Sequence, residues 1–161
     1  SGKIQLAKKA VDISLLALTI TDLNKHHAER KRQRFSLSLE DTGDCKVEGD
    51  PGQLQKAMEN LVTNAIKYSP HGKTIYITVE KKNSSVQFSV RDEGPGITAE
   101  DKPKLFERFQ RLSSLPTGDE TSTGLGLFIV KQIVDLHGGR VWAEGQPGEG
   151  TPFNIEFPPR T

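Results

Sequence analysis

Three short segments of the chain place side chains with chemical capability at regular spacing. Glu59 to Tyr68 carries Asn60, Asn64 and Lys67, Asp92-Glu-Gly-Pro-Gly-Ile97 sets one carboxylate beside two glycines, and Thr123-Gly-Leu-Gly-Leu127 opens an apolar run with two more. At about 100° per residue, Asn60, Asn64 and Lys67 fall in one narrow sector of a helix and project together. A carboxamide oxygen can complete the all-oxygen coordination of Mg2+, whose other ligands are waters and phosphate oxygens, and a lysine neutralises phosphate. The same residues also make an ordinary polar face on a half-buried helix.

Asp92 follows an alternating apolar run, and Gly94 and Gly96 lack the side chains that would keep backbone away from a flat ligand. A buried carboxylate there can accept a hydrogen bond from an adenine amino group, although the string is equally good turn chemistry. Gly124 and Gly126 at a helix start present backbone N–H groups and the positive dipole end to phosphates. Two glycines in a first turn cost about 1 kcal/mol each relative to alanine, which favours a functional reason for them. No Gly-Lys-Ser/Thr follows, so this is neither the Walker pattern nor the Rossmann fingerprint. Arg108 and Arg111 precede the polar segment 113–123, from which either can swing onto a γ-phosphate; a solvated surface role is the ordinary alternative.

The elements that must position these groups are legible in the periodicity. Ile13, Leu16, Ala17, Ile20 and Leu23 recur at helical spacing behind Asp12 as N-cap, running into the polar stretch 24–34. Phe35, Leu37 and Leu39 alternate as a strand, and 41–49 reads as a loop. Asp50-Pro51 starts a second helix, which Ser69-Pro-His-Gly72 ends. Ile75, Ile77 and Val79 followed by Val86, Phe88 and Val90 predict a hairpin. A short helical stretch is expected at 103–112, carrying Phe106 and Phe109, and then a mobile segment at 113–123, where Leu115 is the one large apolar residue. A third helix runs from Thr123-Gly124 to a Gly138 C-cap, and strands at 140–144 and 153–157 close the chain. That order suggests one sheet covered on one face by helices.

Composition sets bounds. At 161 residues, 34% hydrophobic and 27% charged with net charge +1, the chain is long enough for an ordinary core and is no strongly basic nucleic-acid binder. Cys45, the one cysteine, rules out an internal disulfide framework and a cysteine-based zinc site; its polar neighbours predict a surface position. No apolar run reaches the roughly 20 residues that span a bilayer, so no membrane contact is expected. His26 and His27 lie in a charged helix end, His71 in a turn, and His137 before a Gly-Gly C-cap, where a cation suits the helix dipole. None has zinc-protease spacing.

Taken jointly, these segments resemble the catalytic ATP-binding domain of sensor histidine kinases, in the superfamily shared with type II topoisomerases, mismatch-repair ATPases and heat-shock chaperones. The likeness runs from about Val11 to Phe157, with residues 1–10 as an extension or linker remnant and 11–161 as the domain. The N box of the family is similar to Asn60–Tyr68, the first glycine box to Asp92–Gly96, the F box to Phe106–Phe109, and the second glycine box to Thr123–Leu127. The resemblance implies an α+β two-layer sandwich, a mixed sheet covered on one face by three helices. It implies ATP and Mg2+ as ligands, with Asn64 on the metal, Asn60, Lys67 and Arg111 as catalytic groups, Tyr68 near phosphate or metal, and Asp92 on adenine. Gly94, Gly96, Ile97, Arg108, Thr123, Gly124, Leu125, Gly126, Leu127 and Thr151 complete the implied nucleotide site, Gly150-Thr151 resembling the late Gly-Thr/Ser element of the family. Two departures stand out: Ser122 replaces the first glycine of the second box, and no segment resembles the His-Glu-x-Arg-x-Pro phosphoacceptor motif.

The expectation is a cytoplasmic domain that transfers the γ-phosphoryl of Mg-ATP to a histidine on a dimeric helical domain of the same parent kinase, upstream of a response regulator. Relatives that hydrolyse ATP place a glutamate where Asn60 stands, and Glu59 is about 100° away from the Asn64 face. The alternative is a nucleotide-dependent interaction module without transfer.

Overall fold

The computed structural model describes residues 5–40, 45–107, 126–145, 148 and 150–158. In chain order these form β1 (Lys9–Asp12), α1 (Ile13–Leu23), α2 (Lys25–Glu29), β2 (Arg34–Leu39), β3 (Lys46–Gly49), α3 (Pro51–Tyr68), β4 (Thr74–Lys82), β5 (Ser85–Arg91), α4 (Gly126–Leu136), β6 (Arg140–Ala143) and β7 (Pro152–Phe157). A single 3-10 turn spans Lys102–Lys104.

Local chemistry starts the two long N-terminal helices where the sequence predicts. The Asp12 carboxylate accepts from the Leu15 N–H at 3.1 Å and Asp50 accepts from Gln53 at 3.1 Å, with Pro51 at the first helical position. Each cap satisfies an N–H that the helix itself cannot pair.

The main sheet has strand order β2-β4-β5-β7-β6. β2 runs parallel to β4, and the remaining pairs are antiparallel, so the sheet is mixed. Strand alternation puts Ile75, Ile77, Val79, Val86, Phe88, Val90, Phe153, Ile155 and Phe157 on one face, all buried. Against that face α1 packs on β4, α3 on β5 and α4 on β6, while α3 also packs on both other long helices. α3 is therefore the centre of the helical layer, and Leu54, Met58, Leu61 and Ile66 on it are wholly buried. The opposite sheet face is polar. There the Arg91 guanidinium stacks 4.1 Å from the ring centre of its cross-strand partner Tyr76, and the Asn154 carboxamide oxygen accepts from Ser89 and Gln87.

Four expectations change. Lys46–Gly49 is not loop but strand, paired antiparallel with β1 so that Val11 meets Val47. Four residues with alternating burial are too short for periodicity to register, and their partner lies far back in the chain. The first strand of that ribbon runs from Lys9 to Asp12. Cys45 is 4% exposed rather than on the surface, because the ribbon folds it onto the head of α1, where its carbonyl accepts from Ile13 at 3.1 Å. Burial pushes its thiol pKa up, outweighing the hydrogen bond with Ser14. His137 is buried and not a solvated cation at a helix end. Its Nδ1 lies 2.8 Å from the Ile133 carbonyl and its Nε2 accepts from Asp50 N–H at 3.1 Å, a pairing that requires the proton on Nδ1 and none on Nε2. Fourth, the helical stretch expected at 103–112 is the turn at Lys102–Lys104 as far as Glu107; its remainder and segment 113–123 lie outside the described residues.

Candidate nucleotide cleft

A narrow cleft, partly open to solvent, lies among the second half of α3, the loop after β5 and the start of β7. Asn64, Tyr68, Asp92, Pro95, Gly96, Ile97, Thr151 and Phe153 line it. Its floor is set by backbone approach. A Cβ on Gly94 would stand 2.7 Å from the Tyr68 carbonyl oxygen and 3.0 Å from Asp92 Oδ1, so only glycine lets the loop close onto the end of α3. From the other side Gly150, at φ +77°, rests on the Asp92 backbone, and Gly148 N–H donates to the Pro95 carbonyl at 2.6 Å.

Asp92 is the electrostatic centre of the cleft. It is 3% exposed, and its Oδ1 accepts from Gly94 N–H at 2.8 Å. Burial pushes its carboxyl up to about 6, against the opposing pull of the Gly94 and Thr151 N–H groups and of Arg91. Desolvation thus outweighs the donors. A carboxyl held in this way can accept a hydrogen bond from an amino group on a flat ring. Among the described residues no group of three histidine, cysteine, aspartate or glutamate side chains gathers.

The expected site residues divide into three sets. Asn64, Tyr68, Asp92, Gly96, Ile97 and Thr151 meet in one cleft, with Gly94 packed behind it. Asn60 and Lys67 flank the cleft on α3, half-buried, with Lys67 Nζ 5.9 Å from the Tyr68 ring centre. Gly126 and Leu127 open α4; Leu127 packs on the core, while a Cβ on Gly126 would meet no described atom within 4 Å. Packing among the described residues therefore gives no reason for glycine there. Arg108, Arg111, Thr123, Gly124 and Leu125 lie outside the described residues.

Two lining residues escaped the sequence reading. Pro95 sits inside the glycine segment and drew no notice beside Gly94 and Gly96. Phe153 reads as one more core residue of β7, and its strand alternation was the available signal. It meets Phe106 edge-on, ring centres 6.4 Å apart, which assigns Phe106 to the wall beside the cleft.

The chain has relatives among known proteins. Residues 49–161 match the family model described as histidine kinase-, DNA gyrase B-, and HSP90-like ATPase. The chain is 34% identical over 149 residues to the sensor-like histidine kinase SenX3 of Mycolicibacterium smegmatis, covering 92% of this chain and 38% of that protein. It is 39% identical over 117 residues to the sensor histidine kinase WalK of Bacillus subtilis, covering 71% of this chain and 19% of that one. The chain thus spans well under half the length of these relatives. Among solved structures, the mycobacterial sensor histidine kinase MprB superposes with a TM-score of 0.81 at 28% identity, covering 94% of this chain and 99% of that one. Full-length ShkA in complex with AMPPNP superposes with a TM-score of 0.85 at 27% identity, covering 100% of this chain and 33% of that one.

Proposed function

The chain belongs to the histidine kinase-, DNA gyrase B- and HSP90-like ATPase family, and on that premise we propose that it is the catalytic domain that phosphorylates a histidine from Mg-ATP. The acceptor is a histidine on a dimeric helical domain of the parent sensor kinase, and the phosphoryl group passes from it to an aspartate of a response regulator. The domain works on the cytoplasmic side; no described helix is long and apolar enough to cross a membrane.

The observation that carries the reading is the buried Asp92 carboxyl, fixed by Gly94 and Thr151 in a cleft whose other wall is the asparagine-bearing face of α3. In the proposed complex Asp92 accepts from the adenine amino group, while Gly96, Ile97, Thr151 and Phe153 enclose the ring. Asn64 and Tyr68 stand where the phosphates leave the ring, and Asn64 contributes the carboxamide oxygen to the cation. The cation, when bound, neutralises charge shared between the phosphate oxygens. Lys67, Arg108 and Arg111 are assigned to the γ-phosphate, and the N–H groups from Thr123 to Leu127 to the phosphate chain. Asn60 holds no proton-accepting carboxylate, so water in the cleft is not activated as a nucleophile and transfer to a histidine is favoured.

Mg-ADP binding by calorimetry, with Asp92→Ala beside the unaltered chain, tests the pocket. A transfer assay with an acceptor hairpin supplied in trans then tests the chemistry. Labelled phosphohistidine on the hairpin supports the kinase, and nucleotide binding without label makes the domain a nucleotide-dependent interaction module.

A further inference from the structure

We infer that Lys31, assisted by Gln33, is a positioning residue for the nucleotide cleft, gripping the last turn of α3 so that Asn64 and Tyr68 face the Asp92 loop in register. The inference rests on the ATP-binding reading above.

A helix leaves its last four carbonyls without intrahelical partners. At the end of α3, Ser69 N–H returns to the Ala65 carbonyl at 2.9 Å. The next two carbonyls are taken by side chains from a distant segment. Lys31 Nζ donates to Ile66 O at 2.6 Å and to Lys67 O at 3.2 Å. Gln33 Nε2 donates to Ile66 O at 3.1 Å and to Ser69 O at 2.8 Å. Both donors are buried, Lys31 at 6% exposure and Gln33 at 3%.

A lysine is rarely placed inside a protein, because taking its ammonium out of water is costly unless the charge is met. Here the negative end of the helix dipole meets it. At the α1 terminus, by contrast, the capping donors are local: the backbone N–H and the carboxamide of Asn24, the next residue in the chain. The grip is also anchored at its own base. Arg32 turns through φ +56° between the two donors, and the Lys31 carbonyl accepts from Gly72 N–H at 2.9 Å, so the segment is tied to the turn that follows α3.

The gripped turn is the one that builds the cleft. Tyr68 lies on it and Asn64 one turn before it, and the Tyr68 carbonyl is the atom against which Gly94 packs. The helix end is held by Lys31 and Gln33 on one side and by the Asp92 loop on the other. Loosening the first contact frees the last turn to move relative to the second, which spoils the cleft with no change in any lining residue.

The test uses the chain as it stands, measuring Mg-ADP affinity by calorimetry at a temperature where thermal melts show each variant folded. Lys31→Met removes the charge and both hydrogen bonds. Lys31→Arg restores donors, and Val47→Ala, in the β1–β3 ribbon, controls for destabilisation remote from α3. A positioning role predicts about tenfold weaker binding for Lys31→Met, recovery in Lys31→Arg, and parental affinity in Val47→Ala. Parental affinity in folded Lys31→Met, with only a lower melting temperature, would overturn the inference and leave the ATP-binding reading intact. Absence of binding by the unaltered chain would overturn both. If Lys31→Met does not fold, Gln33→Met removes the lesser half of the grip and is read by the same criteria.

Discussion

Gly150 lies against the backbone carbonyl of Asp92 so closely that a Cβ would collide with it, and its φ of +77° is one that other residues adopt only under strain. The next residue, Thr151, then donates its N–H to the Asp92 carboxylate. The loop before β7 thus locks the carboxyl at the centre of the cleft.

Gly150→Ala is expected to destabilise the fold by about 1–3 kcal/mol, through the strained φ and the displaced Asp92 backbone together. Denaturant unfolding measures that loss, and calorimetry on the folded fraction should show weakened Mg-ADP binding. Unchanged stability would mean that the loop yields without disturbing Asp92.

Asp92 gives a pH signature of definite sign. Its folded pKa of about 6 lies above the unfolded value of 3.8, so the group favours folding below 3.8 and that stabilisation is lost as pH rises through about 6. Two units correspond to about 3 kcal/mol at the upper end. Asp92→Asn should therefore gain stability relative to the parent between pH 4 and pH 7. A constant difference across that range would show that the carboxyl is not perturbed by burial.

Cys45 should resist a thiol reagent in the native state and react on unfolding, because the reactive thiolate is disfavoured by burial and the sulfur is covered. The labelling midpoint in urea should coincide with the loss of circular dichroism. Rapid labelling without denaturant would place the β1–β3 ribbon off the head of α1.

His137→Ala removes the acceptor of the Asp50 N–H and opens a void beside Gly49, which packs against the imidazole ring. A cost of about 2–4 kcal/mol follows from the unsatisfied groups and the cavity together. The expected readout is a lower urea midpoint with unchanged slope. A loss below about 0.5 kcal/mol would mean that the imidazole is not the link between α4 and the start of α3.

Legibility in the sequence tracked the range of the interactions. Asp12 and Asp50 act on N–H groups three residues away, and the β4–β5 hairpin closes through a turn at Asn83 and Ser84, so local pattern was enough for both. The cleft motifs were equally visible, because Asp92, Gly94 and Gly96 are consecutive or nearly so and Asn64 and Tyr68 are one helical turn apart. What escaped was set by partners remote in sequence. Lys46–Gly49 becomes a strand only because Lys9–Asp12 lies beside it, Cys45 is buried by that pairing, and His137 finds its acceptor role at Asp50. Lys31 reads as one charge among many in 29–34, and nothing local announces that its target is the far end of another helix.

α3 serves two masters with one rod: Leu54, Met58, Leu61 and Ile66 on it are core, while Asn64 and Tyr68 face the cleft. While Lys31 and Gln33 hold the end of the helix, the second set is carried by the first. Its amides should accordingly exchange with deuterium only through whole-domain opening, and a cleft ligand at a hundred times its Kd should slow that exchange by about 2.7 kcal/mol of added protection. Occupancy of the cleft is then a state of the entire fold, and its release softens the molecule as one cooperative unit.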